Sequence, residues 1–157
     1  KNSVLKFIVL AAMLLNSALA FAQNDTDSLK KFIEDVKADK KALILANMDL
    51  TETQKEQFIP IYDAYQAELK KLNERIASLI SNYAFVYNSG KITEDAALQL
   101  LEELFSIENR EAEIKGEYSK KLLAVISAVK VAKYMQMENK IRAIIKYELA
   151  SQIPLAY

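Results

Sequence analysis

From Phe58 to Val86 the apolar positions follow a regular alternation of four and three. Phe58, Tyr62, Tyr65, Leu69, Leu72, Ile76, Leu79, Tyr83 and Val86 form the series. That spacing is the seam of coiled-coil-like helix packing. It predicts one long helix, opened by Thr51 and ending near Tyr87-Asn88-Ser89, with Gly90 in the left-handed position after the last turn. Pro60 falls within the first turns, removes one backbone hydrogen bond and predicts a bend there.

Three further helices flank this one. Leu29, Ile33, Val36 and Leu43 share a stripe that predicts a first helix from Asp27 to about Asn47. Thr93 is placed to cap a third helix, with Glu94 and Asp95 in its first turn beside the positive end of the dipole. Its stripe of Leu100, Leu104, Ile107, Ile114, Tyr118 and Val125 is interrupted by Glu111 and Lys121. Glu111/Lys115 and Glu117/Lys121 are spaced as i,i+4 ion pairs in the favourable orientation. Gly116 in mid-helix predicts a close backbone approach. Ser127 is placed to cap a fourth helix bearing Tyr134, Met137, Ile141, Ile144 and Ile145, which Pro154 stops near Ser151.

The start of the second helix carries a capping box, Leu50-Thr51-Glu52-Thr53-Gln54. Thr51 can accept from the amide of Gln54, and the Gln54 side chain can reach back to the amide of Thr51. Two donors that no helical carbonyl can satisfy are then met. Thr51 to Tyr87 would span about 55 Å at 1.5 Å per residue, against roughly 37 Å for a compact domain of this size. The fold class expected is all-α: a four-helix, elongated, cradle-like bundle with two long antiparallel central helices. A thin layer of this kind leaves helix faces uncovered, which predicts a homodimer or another partner.

The N-terminal segment is read differently. Lys1 and Lys6 flank an apolar run from Phe7 to Leu15, and Ala20-Phe21-Ala22 ends it with small residues at the −3 and −1 positions. This predicts a secretory signal peptide over residues 1–22, cleaved before Gln23. A retained membrane anchor is the alternative, since Val4 to Ala22 is nearly long enough to span a bilayer. Residues 23–157 are then one helical domain of 135 residues, exported to the periplasm with no membrane span in the mature form. Removing two lysines from 21 leaves 19 basic residues against 21 acidic ones, a net charge of −2. That balance argues against nucleic acid as a partner, and makes salt a minor influence on apolar binding. With no Cys there is no disulfide framework, and with no His the commonest metal ligand and general base are both missing. The composition points away from enzymes and predicts no cofactor.

The motif at Leu50, Thr51 and Gln54 resembles the hallmark of the Spy/CpxP family of periplasmic proteins, a twice-occurring Leu-Thr-x-x-Gln. The second copy should open the fourth helix. Here it reads Ile126-Ser127-Ala128-Val129-Lys130, which keeps the chemistry at the first two positions and replaces Gln with Lys130. Ile92-Thr93-Glu94-Asp95-Ala96 is a weaker echo. The resemblance implies a cradle-shaped, all-helical periplasmic homodimer. It also implies either an ATP-independent chaperone for unfolded or partly folded clients, or an envelope-stress accessory protein that restrains a membrane sensor. Family cradles are basic, whereas this chain is slightly acidic.

Candidate contact residues follow from the aromatic positions. Tyr62, Tyr65 and Tyr83 offer amphipathic area for a client or a second subunit, or else pack within the seam. Tyr83, Phe85 and Tyr87 point in three directions, so one neighbouring helix cannot bury them all. Glu102, Glu103, Glu108, Glu111, Glu113 and Glu117 invite a metal reading. Di-iron bundles need Glu-x-x-His on facing helices, so no metal is expected and a solvated acidic face is the simpler account. Asn139, Lys140 and Arg142 suit either a polar pocket or a wet face. The polar middle of the third helix, at Glu108, Glu111 and Lys115, is where an open apolar surface is expected on its partner.

Overall fold

The computed structural model describes residues 39–156. Helix α1 occupies 39–47, α2 Glu52–Asn88, α3 Glu94–Leu123 and α4 Ala128–Gln152. The fold is all-α, with α2 and α3 as two long central helices packed together. The expected signal peptide and the first part of the first helix lie outside the described residues. No helix among the described residues is long and apolar enough to cross a membrane. The helices group into two compact units.

The larger unit runs from Glu52 to Val131 and includes Leu155 and Ala156. Its body is the hairpin of α2 and α3. Tyr65 meets Tyr118, Glu68 meets Arg110 and Arg75 meets Glu103, a register that makes the helices antiparallel. Local chemistry fixes the ends. The Thr93 hydroxyl accepts from the Ala96 amide at 3.2 Å, and Glu94 and Asp95 follow in the first turn. At the turn, Gly90 takes φ +78° and its amide donates to the Tyr87 carbonyl, a conformation that a Cβ would penalise. The Ser127 hydroxyl accepts from the Lys130 amide at 3.4 Å as α4 begins. Lys120 and Lys121 sit in the last turn of α3, where cations oppose the negative end of the dipole. Pro60 lies within α2, which continues through it as one helix.

The seam is filled at one end only. Phe58, Tyr62, Tyr65, Leu69 and Leu72 of α2 are buried, as are Ile107, Ile114, Tyr118 and Leu122 of α3. Leu104 is exposed and Leu100 half-buried, so the expected α3 stripe holds only from Ile107 onward. Val125 lies beyond the helix, in the turn to α4. Glu111 is buried within the stripe, its carboxylate held by Lys115 at 2.8 Å, and the middle of α3 is therefore closed. Glu117 pairs with Arg110, not Lys121, whose ammonium rests over the Tyr118 ring at 4.2 Å. Gly116 is exposed, and a Cβ there would meet nothing within 4 Å, so no close backbone approach explains it.

The smaller unit contains the described residues up to Thr51 and Ala132–Pro154. Lys40 pairs with Glu138 and Asp49 with Lys133, so α1 runs antiparallel to this part of α4. Asp49 takes φ +48° in the link that follows α1, a conformation Asp tolerates better than most residues. Ile44 and Met48 are buried, with Leu43 only half-buried beside them. On α4 the buried positions in this unit are Tyr134, Glu138 and Arg142, while Met137, Ile141, Ile144 and Ile145 are half-buried. Glu138 is fully buried: Lys40 Nζ donates to it at 2.9 Å and the Tyr134 hydroxyl at 3.1 Å. Asn139 and Lys140 face solvent.

Candidate binding surface

Between residues 73 and 106, all of them described, no side chain is buried. This is the distal half of the hairpin, and its sequence explains the opening. From Ile76 to Gly90 α2 carries no charge at all. The seam residues Ile76, Leu79, Tyr83 and Val86 are only half-buried, because α3 opposes them with small or polar residues at Ala96, Gln99 and Glu103. A groove of about 230 Å³ results, lined by Leu79, Asn82, Phe85 and Val86 of α2 and Ala96, Gln99, Leu100 and Glu103 of α3. Phe85 stands at its edge, 80% exposed.

The groove has a polar boundary toward the base of the hairpin. Arg75 donates to both Glu103 oxygens at 2.9 Å and to the Ser106 hydroxyl at 2.8 Å. This two-pronged bond holds the Glu103 carboxyl below its ordinary pKa and raises that of Arg75. Nearer the base, Lys71 holds Glu68 low in the same way, with Arg110 assisting. Glu113 and Glu117 both accept from Arg110, which is raised by them. The bridges fix the hairpin register more than they stabilise it, since water reaches every partner.

A second apolar feature lies on the other side of α3. At 100° per residue, Leu98, Leu101 and Phe105 centre about 150° around the helix from Ile107, Ile114 and Tyr118. They are 56%, 47% and 56% exposed. Leu104 adjoins them and is exposed as well. Most of α3 is thus apolar on one face, whereas its first half is apolar on two.

The aromatic candidates divide by position. Tyr62 and Tyr65 are core residues, the first stacked on Phe58 and the second tilted against Tyr118, and offer nothing to a client. Tyr83 and Tyr87 are half-buried with their rings 5.9 Å apart, and only Phe85 projects freely into solvent. Periodicity could have found the row at Leu98, Leu101 and Phe105, since these residues share their own i,i+3,i+7 spacing.

The capping motifs also have definite places. Leu50 is half-buried and Thr51 immediately precedes α2. Ile126 is buried ahead of Ser127. Gln54 and Lys130, each the third residue of its helix, meet directly: Lys130 Nζ donates to Gln54 Oε1 at 2.8 Å. The lysine that breaks the second motif is therefore the partner of the glutamine that completes the first. Of the α3 carboxylates, Glu103, Glu111, Glu113 and Glu117 are spoken for by cations, while Glu102 and Glu108 face solvent. No group of three acidic side chains among the described residues is placed to hold a metal ion. No protein-family model, curated protein or solved structure matches the chain.

Proposed function

We propose that this chain is a periplasmic, ATP-independent chaperone-like protein of the Spy/CpxP type, which holds unfolded or partly folded clients on the distal half of its α2–α3 hairpin. The observation that carries the reading is the half-filled seam, whose apolar side chains border an open groove with Phe85 in solvent. Exposed apolar groups on a hairpin whose base is well packed bind other apolar segments without unfolding to do so. The act is binding alone, in keeping with a chain that lacks His and Cys. Homodimerisation belongs to the same proposal, and a stable monomer in sedimentation equilibrium at tens of micromolar would remove it.

The purified chain from Gln23 on should slow aggregation of an unfolding client at near-stoichiometric ratios and without nucleotide. Phe85→Glu should weaken that effect and leave the helical circular dichroism unchanged. If several-fold excess protects no client, and affinity capture returns a single sensor protein, the accessory-regulator function replaces this one.

A further inference from the structure

Charge is unevenly distributed along this hairpin. Residues 76–109 carry one basic side chain, Lys91, and five acidic ones: Glu94, Asp95, Glu102, Glu103 and Glu108. Glu103 is neutralised by Arg75. Glu94, Asp95, Glu102 and Glu108 are exposed and make no ion pair with any described residue. On the helical wheel they flank the outward row, with Glu94 and Glu108 on its line and Asp95 and Glu102 along one side. The near-zero balance of the whole chain conceals this.

We infer that the Leu98–Leu101–Phe105 row of α3 is a docking face for a basic amphipathic helical segment of another protein. Its i,i+3,i+7 spacing covers two helical turns, the pattern by which one helix lays an apolar stripe on another. The charged residues beside such a stripe select the partner, and on α3 those beside this row are all acidic. A second copy of this chain would bring Glu94 and Asp95 against Glu108 or their own equivalents, with no basic residue on α3 before Arg110 and only Lys91, ahead of the helix, to set against four unpaired carboxylates. An anionic lipid surface is disfavoured for the same reason. A segment with Leu or Phe on one face and Lys or Arg beside it meets both demands. The inference rests on the client-binding reading and narrows it to one class of client. It also makes binding at this face sensitive to salt, unlike apolar contact in the groove.

The test uses two labelled synthetic 18-residue helical peptides with one leucine face, flanked in one by lysines and in the other by glutamates. Fluorescence anisotropy with the chain from Gln23 on should show the lysine peptide binding more than tenfold tighter than the glutamate peptide, with affinity falling between 20 and 200 mM salt. Leu98→Ser/Phe105→Ser should weaken it about tenfold or more. Glu102→Gln/Glu108→Gln should reduce the preference several-fold, weakening lysine-peptide binding and, by removing like-charge repulsion, strengthening glutamate-peptide binding. Equal binding of the two peptides overturns the inference. So does loss of a dimer on Leu98→Ser/Phe105→Ser, or binding to phosphatidylglycerol vesicles through these residues. If neither peptide binds but Phe85-dependent client protection persists, this face is excluded and the proposed function stands. If protection is absent as well, both fall.

Discussion

Breaking the Lys40–Glu138 pair should cost far more than replacing it. The Glu138 side chain is fully buried, its carboxylate 2.9 Å from the ammonium of a lysine whose side chain is 15% exposed. At that distance the gross attraction is about 6 kcal/mol with an effective dielectric constant near 20. Most of this offsets the desolvation of both ions. Lys40→Met leaves a buried carboxylate without that cation, a change that costs about 3–5 kcal/mol in fully buried pairs. Because solvent reaches the lysine side, the lower end of that range, about 3 kcal/mol, is expected here. Adding Glu138→Gln removes the buried charge and keeps an oxygen to accept from the Tyr134 hydroxyl. The double variant should therefore lie only about 1 kcal/mol below the parent. Urea unfolding reads the difference directly: with a slope near 2 kcal/mol/M, the single variant should shift the midpoint by about 1.5 M and the double by about 0.5 M. A double variant as unstable as the single one refutes the reasoning, because the cost would then not arise from buried charge. A neutral Lys40→Met refutes it too, and directs attention to Arg142, one turn along the same buried line.

Gly116→Ala should stabilise the fold by about 0.5–1 kcal/mol, since the position is helical and its Cβ site is open; a lower midpoint in thermal melts would show a contact that the geometry does not contain. Lys130→Gln exchanges one hydrogen-bond donor to Gln54 for another and removes a cation from the first turn of α4, so stability should rise by a few tenths of a kcal/mol; a loss above about 1 kcal/mol would mean the ammonium is needed as such. Glu68 and Glu103 are held below the ordinary 4.5 by hydrogen bonds from Lys71 and Arg75 respectively. Their contribution is present above that value and is lost as pH falls through the depressed one, so hairpin stability should decline below about pH 4.5. Arg75→Gln should flatten that decline, and an unchanged acid limb would show the Arg75–Glu103 bridge to be energetically silent. Intact-mass measurement on envelope-fraction protein should find a chain starting at Gln23, whereas a membrane-held species retaining Lys1 would remove the periplasmic assignment.

Side-chain chemistry within a few residues was readable from the sequence, and contacts set by distant partners were not. Thr93, Ser127 and Gly90 act where their types and neighbours place them, because caps and turns are decided locally. The α2 seam was equally plain, since nine apolar positions in 4-3 order leave the helix one way to face. Glu138 was hidden. The apolar residues of α4 are spread almost evenly around the helix, so periodicity alone does not single out the line through Tyr134, Glu138 and Arg142. Lys40, 98 residues away in sequence, joins the Tyr134 hydroxyl in making that buried line tolerable. Lys130 was opaque for a similar reason: it departs from a motif read along one helix, and its partner begins another. At the candidate surface, the seam pattern hid the fact that α3 lacks the side chains to fill the far half of α2.

That half-filled seam divides the hairpin into two regimes of motion. From Leu72 and Ile107 toward the base, opening any turn would expose several interlocked side chains, so amides there should exchange only on near-global unfolding. Toward Gly90 each turn is secured by its own helical hydrogen bonds and partial contacts, and turns can fray in sequence from the loop inward. Hydrogen exchange should record a steep gradient along one helix pair, slow at Tyr65 and fast at Tyr83. A tip of that kind can loosen and close again around differently shaped chains while its anchored end keeps its register.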